Sequence, residues 1–177
     1  VAFITVTLII KARRGRIPKL GRVELGWVAL AGFLVVYAHQ VALVSGLRFS
    51  SAANGTLIMA TSPLLSALLA AIFYREKLTL VRISGAMLGL LGVGMVVAGS
   101  GAQIGLTGWG DAVVFVAVLV FVFGGLVIQR MSRTMDPLGM LWYMYLAGGL
   151  MLVVHAAMTP ASYQTCLLYT SPSPRDS

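Results

Sequence analysis

Residues 52–74 read AANGTLIMATSPLLSALLAAIFY, a run of 23 residues without a charged side chain. At a rise of about 1.5 Å per residue, a helix of this length crosses the roughly 30 Å hydrocarbon core of a bilayer. The run does not alternate between apolar and polar residues as a half-buried strand would. The stretch therefore predicts a membrane-spanning α-helix.

The remainder of the chain repeats this pattern. Four more apolar runs of similar length follow or precede it, approximately Leu25–Leu47, Leu80–Ala98, Asp111–Gln129 and Leu138–Met158. Hydrophobic residues make up 59% of the chain and charged residues only 10%, against about 25% charged in an ordinary soluble domain. So few charges cannot cover a water-facing surface. We therefore predict an all-α polytopic transmembrane helix bundle with six spans, the first of which, Val1–Ile10, is truncated.

The two ends of the chain need a separate interpretation. Val1–Ile10 has about half the length that a span needs, so we expect the amino-terminal half of that helix to be missing. Residues 166–176, CLLYTSPSPRD, match the translation in one frame of a transposase adapter used to prepare sequencing libraries. We interpret residues 166–177 as an adapter-derived, non-native tail; a natural Ser- and Pro-rich tail is the alternative. The single cysteine, Cys166, lies there, so the remaining residues offer no disulfide or thiolate metal site.

The distribution of positive charge predicts the orientation in the membrane. Alternate connections carry eleven Lys and Arg residues against one, Arg48, in the others; the eleven are Lys11, Arg13, Arg14, Arg16, Lys19, Arg22, Arg75, Lys77, Arg82, Arg130 and Arg133. Cytoplasmic loops accumulate basic residues. We therefore expect a multi-pass protein of the cytoplasmic (inner) membrane, with loops 11–24, 75–79 and 130–136 in the cytoplasm. The net charge of +8 is then a topology signal, and no nucleic-acid partner is expected.

Several motifs occur in a characteristic order. LRFSSAANG at 47–55 opens one helix, Pro63 lies about halfway along it, EKLT at 76–79 forms the next turn, and glycines follow between 85 and 94. Together with Gly110-Asp111 opening a later helix, this combination resembles the drug/metabolite transporter superfamily, EamA type, over residues 1–158. One departure is Arg75, where the family usually has Gly before the Glu. Independently of the resemblance, we expect Glu76 to pair with a neighbouring Lys or Arg.

The resemblance implies ten helices in two inverted five-helix repeats that move small organic solutes or metabolites without ATP hydrolysis. The spans present would be the second to the seventh. Residues 1–98 would then hold an incomplete N-terminal repeat, 99–110 an external linker, and 111–165 the start of the second repeat. The expected function is a secondary transporter, an exporter working by alternating access around a midplane cavity, with the lipid bilayer and a small-molecule solute as partners.

Polar residues within the spans supply the candidate solute path. Asn54 and Thr61 are seven residues apart and share a helix face, so we predict that both line the path. Pro63 removes a backbone donor and predicts a kink that frees the carbonyl near Met59. Ser62 and Ser66 lie on an adjacent face, where we expect their hydroxyl groups to bond their own backbone or a neighbouring helix.

Other residues receive secondary assignments. Tyr37 and Gln40, three residues apart, and Tyr143 are further candidates for the substrate path. His39 is interpreted as a satisfied core histidine rather than a proton relay, and His155 receives no role. A stripe of small residues predicts close helix packing, with homodimerisation as the alternative; its members are Gly85, Gly89 and Gly92.

Two other functional classes remain open from the sequence. An intramembrane enzyme such as a serine protease would need a nucleophile and a base in reach, and Ser62 with His39 could supply them. A non-transporting membrane scaffold is the other alternative. We predict no catalytic residue, no metal site and no cofactor. The phosphate-binding loop typical of ATPases is absent from the sequence.

Overall fold

A computed structural model describes residues 4–8, 10, 20–99 and 108–158. Five helices in this part are long and apolar enough to cross a membrane: α1 Arg22–Leu47, α2 Ala52–Tyr74, α3 Leu80–Gly99, α4 Trp109–Met131 and α5 Pro137–Met158. Residues 4–8 and 10 are also helical, and the described ranges contain no strand. The prediction of an all-α polytopic bundle is confirmed. The other residues of the predicted truncated span, residues 100–107 of the predicted linker, and residues 159–177, which include the predicted adapter-derived tail, lie outside the described residues.

Side-chain caps set where several helices begin. At the start of α1, the Gly21 N–H donates to Glu24 Oε2 at 2.7 Å. Ser51 caps α2, where its Oγ accepts from the Asn54 N–H at 3.1 Å. Ahead of α5, Asp136 Oδ2 accepts from the backbone N–H of Gly139 at 3.0 Å. Each carboxylate or hydroxyl satisfies a backbone donor that has no partner inside the helix.

Helix α2 is interrupted near its middle. Its two α-helical parts are Ala52–Ala60 and Ser62–Tyr74, and at the junction the Thr61 N–H donates to the Ile58 carbonyl at 3.1 Å. Pro63 has no N–H to give to the Met59 carbonyl one turn earlier. The hydroxyl of Ser62 donates to that carbonyl instead. The Met59 carbonyl therefore has a hydrogen-bond partner in spite of the break.

Helix contacts link the five helices in the order α5, α1, α4, α2, α3. Helix α1 packs between α4 and α5 through its π-helical segment Gly32–Ala38. A Cβ atom on Gly148 of α5 would lie 2.5 Å from Val36 Cβ and 2.6 Å from the Gly32 carbonyl oxygen. Only a residue without a side chain allows the two backbones to approach this closely.

The connections separate into two ends of the bundle. At one end, a methionine cluster joins the beginning of α1 to the α4–α5 connection; its buried members are Val28, Ala31, Met131, Met135, Met140 and Met144. At the same end, Glu76 contacts Gln129 near the end of α4 and Arg133 in the connection that follows α4. At the other end, the α1–α2 connection meets the start of α4 through Ser50 and Asp111. The described basic connections thus share one end, in agreement with the alternation of charge.

Large apolar side chains are exposed along the outside of the bundle. Helix α3 shows this most clearly, with Leu80 at 84% and Val81 at 82% exposure. Such a surface is unfavourable in water and favourable against acyl chains. The helices therefore contact the lipid bilayer, as expected for a multi-pass membrane protein.

Candidate functional site

Two adjoining cavities flank α2 at its interruption, with volumes of about 380 and 490 Å³. Both are lined by Pro63, Ser66 and Arg82. The smaller cavity lies between α2 and α4 and is also lined by Ser62 and Gln129. The larger lies between α2 and α3, where its further lining residues are apolar or glycine. The break in α2 therefore coincides with a concentration of polar groups.

The serine hydroxyl groups of this site are oriented by their own helix. Ser66 Oγ donates to the Pro63 carbonyl at 2.8 Å, and Ser62 Oγ donates to the Met59 carbonyl. The sequence analysis expects these two hydroxyl groups to bond their own backbone or a neighbouring helix, and both bond their own backbone. Each hydroxyl has one donor and two acceptor lone pairs. With the donor used on the helix, the oxygen can accept a hydrogen bond from a solute.

An ionic network borders the cavities at the basic end. Glu76 Oε2 accepts from Arg82 Nη1 at 3.1 Å, and Glu76 Oε1 accepts from Gln129 Nε2 at 2.6 Å. Arg133 Nη2 lies 3.6 Å from Glu76 Oε1. The predicted pairing of Glu76 with nearby basic residues is confirmed. Because Arg82 also lines both cavities, the network connects the loop to the cavity wall.

A second polar cluster lies at the opposite end. Asp111, in the first turn of α4, accepts the Ser50 hydroxyl and the Asn54 side-chain amide, whose Nδ2 lies 3.1 Å from Asp111 Oδ2. Asn54 is 6% exposed. A carboxylate in the first turn of a helix is stabilised by the positive end of the helix dipole. This cluster joins the start of α2 to the start of α4.

The structure separates the two main path candidates. Asn54 lies in the Asp111 cluster, whereas Thr61 lies at the break, where its Oγ1 donates to the Ile58 carbonyl at 2.6 Å. Neither residue lines the two cavities beside Pro63. Their place in the solute path stays a prediction. The serines on the adjacent face are the ones that line the cavities.

The remaining path candidates also have separate surroundings. Tyr37 Oη lies 3.0 Å from His155 Nδ1, so the histidine that received no role is a partner of Tyr37. Gln40 is exposed. Tyr143 meets Trp142 edge-on with ring centroids 4.9 Å apart and packs against the methionine cluster. The structure does not bring these candidates to the cavities beside Pro63.

The serine–histidine pair of the enzyme alternative is not assembled. His39 is buried, with its Nδ1 2.9 Å from the Ala117 carbonyl oxygen and its ring 4.9 Å from that of Phe121. These are the contacts of a core histidine. Ser62 Oγ donates to the Met59 carbonyl, so the hydrogen bond that would activate it as a nucleophile is used elsewhere. Among the residues that the structure describes, no cluster of His, Cys, Asp or Glu could hold a metal ion.

The small-residue stripe of α3 faces open space among the described helices. A Cβ atom on Gly85, Gly89 or Gly92 would meet nothing within 4 Å. Gly89 and Gly92 line an apolar groove of about 1090 Å³ between α1, α2 and α3. Close packing along this stripe therefore has no partner among those helices, and the predicted packing role stays a prediction.

Sequence reasoning missed Arg82 and Gln129 as cavity residues and Asp111 as a partner of Asn54. Arg82 lies one turn inside α3, where its long side chain could also have extended to the membrane interface. The available signal was the spacing of Ser62 and Ser66, four residues apart on either side of Pro63. That spacing places both hydroxyl groups on the face beside the break.

The sequence is similar to known transporters. The profile of the EamA-like transporter family matches residues 1–98. The uncharacterized transporter YyaM of Bacillus subtilis (strain 168) is 26% identical over 132 residues, which cover 72% of this chain and 43% of that protein. The WAT1-related protein At3g02690, chloroplastic, of Arabidopsis thaliana is 30% identical over 129 residues, covering 69% and 31%. No solved structure gives a significant match.

A third relative carries a more specific description. The probable terminal-alkyne amino-acid exporter of Streptantibioticus cattleyicolor is 34% identical over 87 residues, covering 49% of this chain and 29% of that protein. The chain thus spans less than half the length of these relatives. The family profile nevertheless covers more than half of the 177 residues, and the five apolar helices agree with it. The chain belongs to the EamA-like transporter family.

Proposed function

We propose that the whole protein is a secondary transporter that exports small organic solutes across the cytoplasmic membrane by alternating access, without ATP hydrolysis. The observation that carries this is the interruption of α2 beside cavities lined by Ser62, Ser66, Arg82 and Gln129. Charged and polar side chains are costly against lipid and therefore indicate a cavity that admits water or solute. Interrupted helices line the binding sites of many secondary transporters.

The direction of transport is proposed from the position of the cavities. Arg82 connects them to the 75–79 connection, which belongs to the basic, cytoplasmic end on the charge pattern. A solute would thus enter from the cytoplasm. The similarity to a protein described as an amino-acid exporter supports both the direction and a solute of that size.

The solute would then pass along α2 toward the opposite end. In this proposal Thr61 follows the cavities, Asn54 lies near the exit, and Tyr37, Gln40 and Tyr143 are the other candidates for the lining. The described helices would form part of a ten-helix transporter, in which α1 to α3 belong to the first inverted repeat and α4 begins the second. The glycine stripe of α3 would pack against a helix of that complete bundle.

Counterflow in proteoliposomes tests the proposal. The purified full-length protein would be reconstituted into vesicles preloaded with one unlabelled compound, and uptake of its radiolabelled form would be measured for a panel of amino acids, amines and sugars. We expect protein-dependent exchange of at least one compound, unchanged by ATP. Vesicles with heat-inactivated protein are the control. If no compound of the panel exchanges, or if exchange requires ATP, the proposed function is wrong.

A further inference from the structure

Arg130 differs from the other arginines of the basic end in the group that it contacts. It lies in the last turn of α4, with its guanidinium carbon 5.7 Å from the ring centroid of Trp27 on α1. Arg82 and Arg133 both contact the carboxylate of Glu76, whereas Arg130 makes no ion pair within the described part of the chain. Its side chain is exposed. The positive charge of Arg130 is therefore open to an anion from outside the bundle.

Trp27 holds this guanidinium group on the lipid-facing side of α1. An arginine within about 6 Å of an indole centroid is attracted to the ring face, and its N–H groups at the edge stay free to donate. The carboxylate nearest to Trp27 in the sequence, Glu24, accepts the Gly21 N–H at 2.7 Å. Trp27 is 40% exposed, and tryptophan is typical of the interface between membrane and water. The contact thus places a cation at the depth of lipid headgroups.

An exposed apolar strip leads from Arg130 toward the bilayer centre. Val116, Phe123 and Arg130 follow one another at intervals of seven residues along α4, which places them on one helix face. Val116 and Phe123 are both exposed, as are Val23 and Leu30 on the neighbouring helix α1. Seven residues of helix rise by about 10 Å, and one leaflet of hydrocarbon is roughly 15 Å thick. The strip is therefore long enough to lie along an acyl chain whose headgroup is at Arg130.

From this arrangement we propose that Arg130 and the apolar strip bind an anionic phospholipid. The guanidinium group donates parallel hydrogen bonds to the lipid phosphate, and an acyl chain lies against Phe123. The charge pattern assigns this end to the cytoplasm, where basic sites between membrane helices bind anionic headgroups. A zwitterionic lipid fits less well, because its own ammonium group is repelled by the arginine. Arg130 lines neither cavity beside Pro63, so the lipid site is separate from the proposed solute path.

Native mass spectrometry of the purified full-length protein tests the inference. The protein in neutral detergent would be titrated with dioleoyl phosphatidylglycerol or dioleoyl phosphatidylcholine, which have the same acyl chains, and Kd would be measured for the first bound lipid. We expect phosphatidylglycerol to bind about fivefold or more tightly, and Arg130→Gln to remove this preference. Arg130→Lys retains the positive charge and should retain a preference for phosphatidylglycerol.

Two controls separate a lipid site from a general effect of charge. Lys77→Gln removes one positive charge from the same end, but in the connection between α2 and α3, so the preference should change by less than about twofold in physiological salt. Glycerol 3-phosphate has the anionic group without acyl chains and should not displace the lipid at equal concentration. No preference for phosphatidylglycerol, equal losses in Arg130→Gln and Lys77→Gln, or displacement by glycerol 3-phosphate would each overturn the inference. Counterflow plays no part in this measurement, so the transport function is tested independently.

Discussion

Arg75 shows how a single residue can conflict with its backbone. It is the only described residue other than glycine with a positive φ, 52°, and it ends α2 in the left-handed conformation. A side chain in this conformation costs about 1–2 kcal/mol, which glycine avoids. The EamA pattern usually has glycine at this position, where this chain has arginine. The structure gives the physical reason why glycine is the usual residue there.

Arg75→Gly should therefore stabilise the protein by about 0.5–1 kcal/mol, the relief of strain less the added flexibility of the unfolded chain. Thermal unfolding of the full-length protein in detergent would measure the change in Tm. Lys77→Gly, in the same connection, has no strain to relieve and is the control. A Tm that rises equally in both variants, or falls for Arg75→Gly, would contradict the explanation.

Asn54 illustrates the ambiguity of a polar residue in a span. Its polarity favoured a place in the solute path, but its side chain bonds a carboxylate 57 residues away in the sequence. Local sequence cannot reveal that partner, because the contact forms only when α2 and α4 pack. Asn54 could line the solute path or join α2 to α4. Substitutions at Asn54 and Asp111 distinguish these two roles, because only the second depends on the contact between them.

If Asn54 mainly ties α2 to α4, Asn54→Asp should lower stability by about 1 kcal/mol or more, because it places two carboxylates together. The exchange Asn54→Asp with Asp111→Asn restores one amide and one carboxylate and should recover most of that loss. Tm and membrane abundance report how much the Asn54–Asp111 contact stabilises the protein. Counterflow per folded molecule reports transport. Lost transport at normal stability would instead place Asn54 in the solute path.

At the scale of the helices, the sequence predicted the spans well and their contacts poorly. The bounds of every complete span agree with the structure within about three residues, because crossing the bilayer requires a long apolar run that composition alone reveals. The side of α2 that faces the cavities was not predictable in this way. Ser62, Ser66 and the Asn54 face are similarly polar, and the choice between them depends on where α3 and α4 pack.

Adjacent glycines on α5 test the close crossing of α1 and α5. A Cβ atom on Gly148 would lie 2.6 Å from the Gly32 carbonyl oxygen, whereas one on Gly149 would meet nothing within 4 Å. Gly148→Ala should lower stability by about 1–3 kcal/mol through overpacking. Gly149→Ala should leave it unchanged or raise it by up to about 1 kcal/mol, since alanine favours the helix. Similar Tm values for the two variants would show that the crossing is looser than described.

At the scale of the whole molecule, the two ends differ in charge and in chemistry. The end that includes Glu76, Arg82, Arg130 and Arg133 carries most of the described basic residues. The other end is joined by Asp111 and its partners. Charge alternation anticipated this division because the membrane potential and the insertion machinery act on loop charge and require no tertiary contact. The side of the membrane that each end faces can be measured directly.

Labelling with an impermeant thiol reagent on intact cells would establish the orientation. In a cysteine-free background, Phe49→Cys should react from outside and Lys77→Cys only after the cells are permeabilised. Both positions are exposed and lie in connections at opposite ends. The reverse pattern would contradict the predicted orientation and would also move the entrance of the proposed path to the other side of the membrane.

The order of helix contacts has a consequence for biosynthesis. Helices α1 and α2 belong to the segment matched by the family profile, yet α4, which is made later, packs between them. At roughly 5–20 residues per second, the ribosome completes α4 several seconds after α2 has emerged. Until then the contact between Asn54 and Asp111 cannot form, and the surfaces of α1 and α2 that α4 covers are open to lipid or to insertion factors. The segment matched by the family profile therefore gains its contacts with α4 only after that helix is made, and nascent chains that end before residue 131 should be more sensitive to membrane proteases than longer ones.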